Sequence, residues 1–144
     1  MTRVDFYHGA ADKLATALRL VHKAYSQRLP LWVYAADGAV AKRFDQLLWA
    51  TPALSFIPHC EADSPLAADT PVLIASQLDH TAPLAHDQLI INLDAEVPPG
   101  FARFQRVIEI VGNTDADKAP ARSRAKFYKD RGYELNWIDL ARKQ

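Results

Sequence analysis

The chain has 144 residues, of which 49% are apolar and 24% are charged, which is an ordinary composition for one globular domain spanning residues 1–144. Seventeen basic and seventeen acidic side chains cancel, so a protein that coats nucleic acid through its overall charge is excluded. The lack of a long apolar run argues against a membrane span, the single cysteine excludes an intrachain disulfide, and we expect a cytoplasmic protein.

The first half of the chain alternates strand and helix patterns. In chain order these are a strand at 4–7, a helix at 12–28, a strand at 31–35 and a helix that begins at 37 and ends near 49. Asp12 is a suitable N-cap for the first helix, and Pro30 prevents that helix from continuing. Prolines at 52 and 58 predict an irregular connection after the second helix.

The second half continues this alternation. Its predicted elements are strands at 72–75, 89–93 and 107–111, followed by a helix rich in basic residues. Asp115 or Asp117 is the expected N-cap of that helix. Pro120 is expected in its first turn, and Gly132 is placed to end it in a left-handed conformation. The whole pattern predicts an α/β fold, a single Rossmann-like layer with a mostly parallel central sheet flanked by helices.

The positive charge is concentrated in the last helix. Residues 118–131 include six basic side chains and one acidic side chain, Asp130. Four of the basic residues recur at spacings of 4, 4 and 3, which places them along one helix face: Lys118, Arg122, Lys126 and Lys129. Charge runs in general are most often solvated helix faces. A stripe of one sign on a neutral chain nevertheless favours a local anionic partner.

Patterns that announce catalysis are missing from the sequence. The five glycines are scattered, so we expect no functional phosphate loop and no nucleotide cofactor. None of the five histidines forms a metal-ligand pair on a predicted helix, and we expect no metal site. The sequence pattern indicates no general base that would activate Cys60 as a nucleophile. We therefore expect a protein that is not an enzyme.

Three segments carry a resemblance to a known family. They are the opening Val4-Asp5-Phe6-Tyr7, the central Leu47-Leu48-Trp49 with Pro52 and Ser55-Phe56-Ile57-Pro58-His59, and the basic helix with Ala121, Arg122, Arg124, Lys126, Tyr128 and Gly132. In this order they resemble the chi subunit of bacterial DNA polymerase III. The resemblance spans nearly the whole chain, and its central segment is the most specific part.

The resemblance implies a non-catalytic accessory subunit of the replicative holoenzyme. Such a subunit bridges the clamp loader, through the psi subunit, to the acidic C-terminal tail of single-stranded DNA-binding protein (SSB), and meets DNA only through SSB. The residues implied for the SSB tail are Lys118, Arg122, Arg124, Lys126, Val111 and Trp137. Trp49 and Phe56 are implied for psi, or for a helicase that competes with psi. Ala125 stands where the resemblance leads us to expect a tyrosine, so Trp137 is expected to supply the missing aromatic surface.

A second interpretation uses the same basic helix differently. A nucleotide- or nucleic-acid-binding α/β protein would place the stripe on phosphates. Binding of single strands normally adds aromatic side chains on which bases stack, and the helix region offers only Phe127, Tyr128 and Tyr133. The sequence favours the accessory subunit over this alternative.

Overall fold

A seven-stranded parallel sheet forms the centre of the computed structural model, which describes residues 2–51, 57–78 and 84–141. The strands are β1 (Arg3–Ala10), β2 (Leu31–Tyr34), β3 (His59–Glu61), β4 (Val72–Ala75), β5 (Leu89–Asn92), β6 (Arg106–Gly112) and β7 (Glu134–Asp139). They lie side by side in the order β3-β4-β2-β5-β6-β1-β7. All of these pairings are parallel, which confirms the predicted α/β class and its mostly parallel sheet.

Three α-helices connect strands of this sheet within the described residues: α1 (Lys13–Ser26), α2 (Gly38–Ala50) and α3 (Asp115–Asp130). Asp12 caps α1 as predicted, because its carboxylate accepts the backbone N–H of Ala15 at 3.1 Å. Asp37 caps α2 in the same way through Ala39, at 2.9 Å. Within the described residues, no helix is both long and apolar enough to cross a membrane.

The helices cover both faces of the sheet and divide the core in two. On one face Val21 of α1 and Phe44 of α2 pack against strand residues such as Ile91, and all three are fully buried. On the other face Tyr128 of α3 packs against Phe6 of β1. Helices on both faces explain why the inner strands read as unbroken apolar runs.

The two edges of the sheet are formed by β3 and β7. β7 pairs with β1 in a register that places Trp137 beside Phe6, and α3 connects β6 to β7 by crossing over β1. β3 pairs only with β4 in the described sheet, through its three residues His59–Glu61. Surfaces at these two edges are therefore separated by the full width of the sheet.

Three sequence predictions need correction. The connection after α2 contains the strand β3, although prolines predicted an irregular segment. Thr114, not Asp115 or Asp117, caps α3, and its hydroxyl accepts the Asp117 N–H at 3.2 Å. Pro120 lies in the second turn of α3, where it removes a backbone hydrogen bond to the carbonyl of Ala116. Ala116 is exposed, so water can satisfy that carbonyl.

Candidate functional site

The basic stripe lies on α3 as predicted, on an exposed flank of the helix. Lys118, Arg122, Lys126 and Lys129 are all exposed, and Lys126 forms an ion pair with Asp130 one turn away. The inner face of the same helix buries Ala121, Ala125 and Tyr128 against the sheet. Gly132 ends the helix with a φ of 83°, a left-handed conformation that suits glycine. The Lys118–Arg122–Lys126–Lys129 set is called the basic stripe below.

The contacts of α3 show which way the basic stripe faces. Phe127 lies on the other flank, where its ring contacts Phe101 with 6.0 Å between the ring centroids. The Arg131 guanidinium lies over the Phe127 ring at 3.6 Å. Phe101 belongs to the connection between β5 and β6, so the Phe127 flank points towards the middle of the sheet. The basic stripe therefore faces the β7 edge.

Trp137 on β7 supplies an aromatic surface at that edge. Its indole stacks on Phe6, with the ring centroids 4.6 Å apart and the planes inclined by 24°. His8 meets the same indole edge-on at 6.1 Å. Phe6 is fully buried and Trp137 is 55% exposed, so one face of the indole covers the core while the rest is open to solvent.

Val111 lies beneath the helix rather than at the surface. It is buried in the same core cluster as Ala121 and Ala125, and its β1 neighbour in the sheet is His8. The small side chains of the two alanines let α3 approach the sheet closely. Val111 therefore supports α3 from below, and strand β1 separates it from Trp137 on β7.

Arg124 points in the opposite direction from the basic stripe. Its side chain is buried, and its Nε donates a hydrogen bond to Glu109 Oε1 at 2.8 Å. Its Nη1 donates to the carbonyl oxygen of Ala95 at 3.0 Å. Arg124 is thus engaged in an internal ion pair between α3 and β6.

The Glu109 carboxylate is satisfied by two further donors. The Tyr128 hydroxyl donates to Oε2 at 2.7 Å, and Asn92 Nδ2 donates to the same oxygen at 3.0 Å. Burial raises the pKa of Glu109 above its usual value, against the opposing effect of the Arg124 guanidinium and these hydrogen bonds. Burial and the adjacent carboxylate also raise the pKa of Tyr128. In the sequence, the feature that could have indicated this network is the position of Glu109 inside the apolar run 107–111.

The carboxyl ends of the strands, where α/β folds commonly bind phosphates, hold the chain's own carboxylates. Asp12 occupies the N-terminus of α1. At α3 the Thr114 hydroxyl donates to Asp117 Oδ2 at 2.8 Å. That same oxygen would lie only 2.2 Å from a β-carbon added at Gly112, so this glycine makes room for the Asp117 carboxylate. These carboxylates disfavour a bound phosphate.

Lys13, the first residue of α1, is a basic residue near the carboxyl ends of the strands. Burial lowers the pKa of Lys13, and the nearby Arg124 lowers it further, while Asp117, Glu109 and Asp94 oppose the change. Carboxylates of the chain itself therefore lie near the Lys13 ammonium group. Among the residues that the structure describes, no group of three His, Cys, Asp or Glu side chains is arranged to hold a metal ion.

Trp49 lies at the far edge of the sheet, close to the end of α2. It is 61% exposed, and its indole packs on the imidazole of His59 in β3, with 4.5 Å between the ring centroids. Phe56, the residue predicted to act with Trp49, falls outside the described residues. The sequence did not identify His59 as a neighbour of Trp49, because only the short strand β3 brings the two together.

Comparison with known proteins identifies the family of this chain. A sequence model of the family described as DNA polymerase III chi subunit, HolC, matches residues 1–136. The DNA polymerase III subunit chi of Pseudomonas aeruginosa is 37% identical over 139 residues, which cover 94% of each chain. The same subunit of Escherichia coli is 33% identical over 100 residues, which cover 69% of this chain and 67% of the relative. The same subunit of Haemophilus influenzae is 31% identical over 98 residues, which cover 68% of this chain and 67% of the relative. The chain therefore belongs to the DNA polymerase III chi subunit family.

Proposed function

We propose that this protein is a non-catalytic accessory subunit of DNA polymerase III that bridges the clamp loader, through psi, to the C-terminal tail of SSB. Family membership supports the replication role. The observation that carries the tail-binding part is the basic stripe on α3 beside the half-exposed indole of Trp137. No feature of the described residues supports a catalytic role.

The chemistry of the α3–β7 edge fits an acidic peptide that ends in an aromatic residue with a free carboxylate. Lys118 and Arg122 offer cations to the carboxylates, and arginine can hold a carboxylate through two parallel hydrogen bonds. The open part of the Trp137 indole offers a surface for the terminal ring. Val111 and Ala125 are buried between α3 and the sheet, where they support the helix that carries the basic stripe.

Arg124 takes an indirect part in this proposal. Its guanidinium binds Glu109 and the Ala95 carbonyl, so it fixes the position of α3 against β6. We infer that the tail meets Lys118, Arg122 and Lys126 directly, and that Arg124 stabilises the helix that presents them.

The second proposed surface contains Trp49, at the opposite edge of the sheet. A tryptophan that is 61% exposed is a typical anchor for a protein partner. By the family resemblance that partner is psi, or a helicase that competes with psi. Phe56 remains a predicted member of this surface.

Calorimetric titration with a synthetic acidic peptide ending in phenylalanine tests the tail site. A contact of this size should bind with a Kd on the order of micromolar, and the affinity should fall as salt is raised. Arg122→Ala should weaken binding severalfold. Arg43→Ala is the matched control, because Arg43 is also exposed but lies on α2, on the other face of the sheet.

A titration with single-stranded DNA distinguishes the alternative function. Tight, salt-sensitive binding of DNA without SSB, together with no response to the peptide, would reject the accessory role and support phosphate binding by the basic stripe. Peptide binding that is insensitive to Arg122→Ala would move the tail site away from α3.

A further inference from the structure

The side chain beneath Trp49 is unusual for an exposed tryptophan. The His59 imidazole is completely buried, and the exposed indole leans on it with a tilt of 53° between the two rings. Trp49 lies in the last turn of α2, whereas His59 begins β3. The contact thus fixes the exposed ring to the edge of the sheet rather than to its own helix.

One hydrogen bond holds the His59 ring, and the carboxylate of Asp45 lies on the opposite side of the ring. Its Nδ1 lies 2.8 Å from the carbonyl oxygen of Ile57, so an N–H at this nitrogen donates to that oxygen. Its Nε2 lies 3.5 Å from Oδ1 of Asp45 and has no hydrogen-bond partner among the described residues. Asp45 precedes Trp49 by four residues, so the two share one face of α2 and His59 sits against both.

We propose that His59 is a positioning residue that holds the Trp49 indole in its outward orientation for the partner. The proposal rests on the docking role given to Trp49 above. An exposed indole that rotates freely loses that freedom when a partner binds, which weakens affinity by about two- to tenfold for one such side chain. Resting on a buried imidazole removes this penalty before binding.

The motion of the indole tests the orientation without any partner. ¹⁵N relaxation of the Trp49 Nε1–H, assigned by its loss in Trp49→Ala, should give an order parameter of about 0.8, as for a rigid group. His59→Ala should lower it to about 0.6 or less. His22→Ala, at an exposed histidine of α1, should leave it unchanged. A Trp49 indole that stays rigid in His59→Ala would overturn the proposal.

A double-mutant cycle with purified psi then tests the consequence for binding. His59→Ala should weaken psi binding by about two- to tenfold, and His59→Ala with Trp49→Ala should bind no more weakly than Trp49→Ala alone. Losses that multiply would show that His59 does not act through Trp49 and would overturn the proposal. His59→Phe keeps a ring under the indole and should bind within about twofold of the original protein.

The relaxation and binding experiments distinguish the docking role of Trp49 from the positioning role of His59. If Trp49→Ala binds psi normally, the docking role of Trp49 fails, and the order parameter still decides whether His59 holds the ring. If Trp49→Ala weakens binding while His59→Ala folds, keeps a rigid indole and binds normally, only the positioning role fails. If His59→Ala does not fold, His59→Phe carries the test, and a mobile indole or lost binding in that variant would contradict the proposal.

Discussion

Arg124 and Glu109 are expected to respond to mutation as a buried ion pair. Arg124→Ala would leave the Glu109 carboxylate buried without its ion-pair partner, with Tyr128 and Asn92 still donating hydrogen bonds to it. We expect a loss of about 3–5 kcal/mol in the free energy of unfolding. Urea denaturation measures this loss. Arg122→Ala is the control, because an exposed arginine should change stability by about 0.5 kcal/mol or less. An Arg124→Ala variant that is fully stable yet fails to bind the tail peptide would instead identify Arg124 as a direct ligand.

Trp137 is expected to contribute to affinity through the open part of its indole. Trp137→Ala should weaken binding of the phenylalanine-ended peptide by about tenfold, because an aromatic pair contributes on the order of 1 kcal/mol beyond the area that it buries. Calorimetry measures the change. Trp49→Ala removes an equally large exposed indole from the other edge and should leave peptide affinity unaltered. Unchanged affinity in Trp137→Ala would mean that the terminal ring binds elsewhere.

At the scale of elements, Pro120 in the second turn of α3 lowers the stability of that helix. Pro120→Ala restores a backbone hydrogen bond to Ala116, and we expect a gain of about 2 kcal/mol after the greater freedom of the unfolded chain is subtracted. The shift of the urea midpoint measures this gain. Pro120 lies on the helix flank opposite Arg122, so peptide affinity should not change. A loss of stability would show that the ring of Pro120 makes packing contacts worth more than the hydrogen bond.

The long elements were predictable because their signals are local. The periodicity and caps of α1 and α2, the apolar run of β4 and the spacing of the basic stripe all act within one segment. β3 was missed because a segment of three residues directly after Pro58 carries no periodicity, and only its pairing with the neighbouring strand β4 makes it a strand. The strand β7 was not among the predicted strands, because its pairing with β1 depends on residues more than 120 positions away in the chain.

The candidate site was predictable only in part, because some of its contacts join residues from different elements. The family resemblance placed Arg124 among the tail-binding residues. Its helical phase, however, matches that of Ala121 and Tyr128, and its buried partner Glu109 comes from another element. The contact between Trp49 and His59 likewise needs β3 to be in place. Sequence spacing shows which residues share a face, whereas the partner of that face appears only in the fold.

At the scale of the molecule, the two proposed surfaces lie on opposite edges of one sheet. Trp49 packs beside β3, and the basic stripe faces β7, with five strands between those edges. Adjacent strands are about 4.8 Å apart, so the edges are separated by about 29 Å. This distance is about three times the Debye length of 8–10 Å at physiological salt, so charges at one edge have little direct effect on the other.

This separation predicts that the two partners bind independently. The Kd of the tail peptide should agree within about twofold whether or not psi is bound, because the surfaces share no residue and the rigid parallel sheet between them has one packing arrangement. Titrating the peptide into the free protein and into the preformed complex with psi measures the coupling. Arg122→Ala and Trp49→Ala are the matched controls, each expected to weaken one partner and leave the other. A tenfold change in peptide affinity on binding psi would mean that the sheet transmits a signal between its edges, and the bridge would then be a switch.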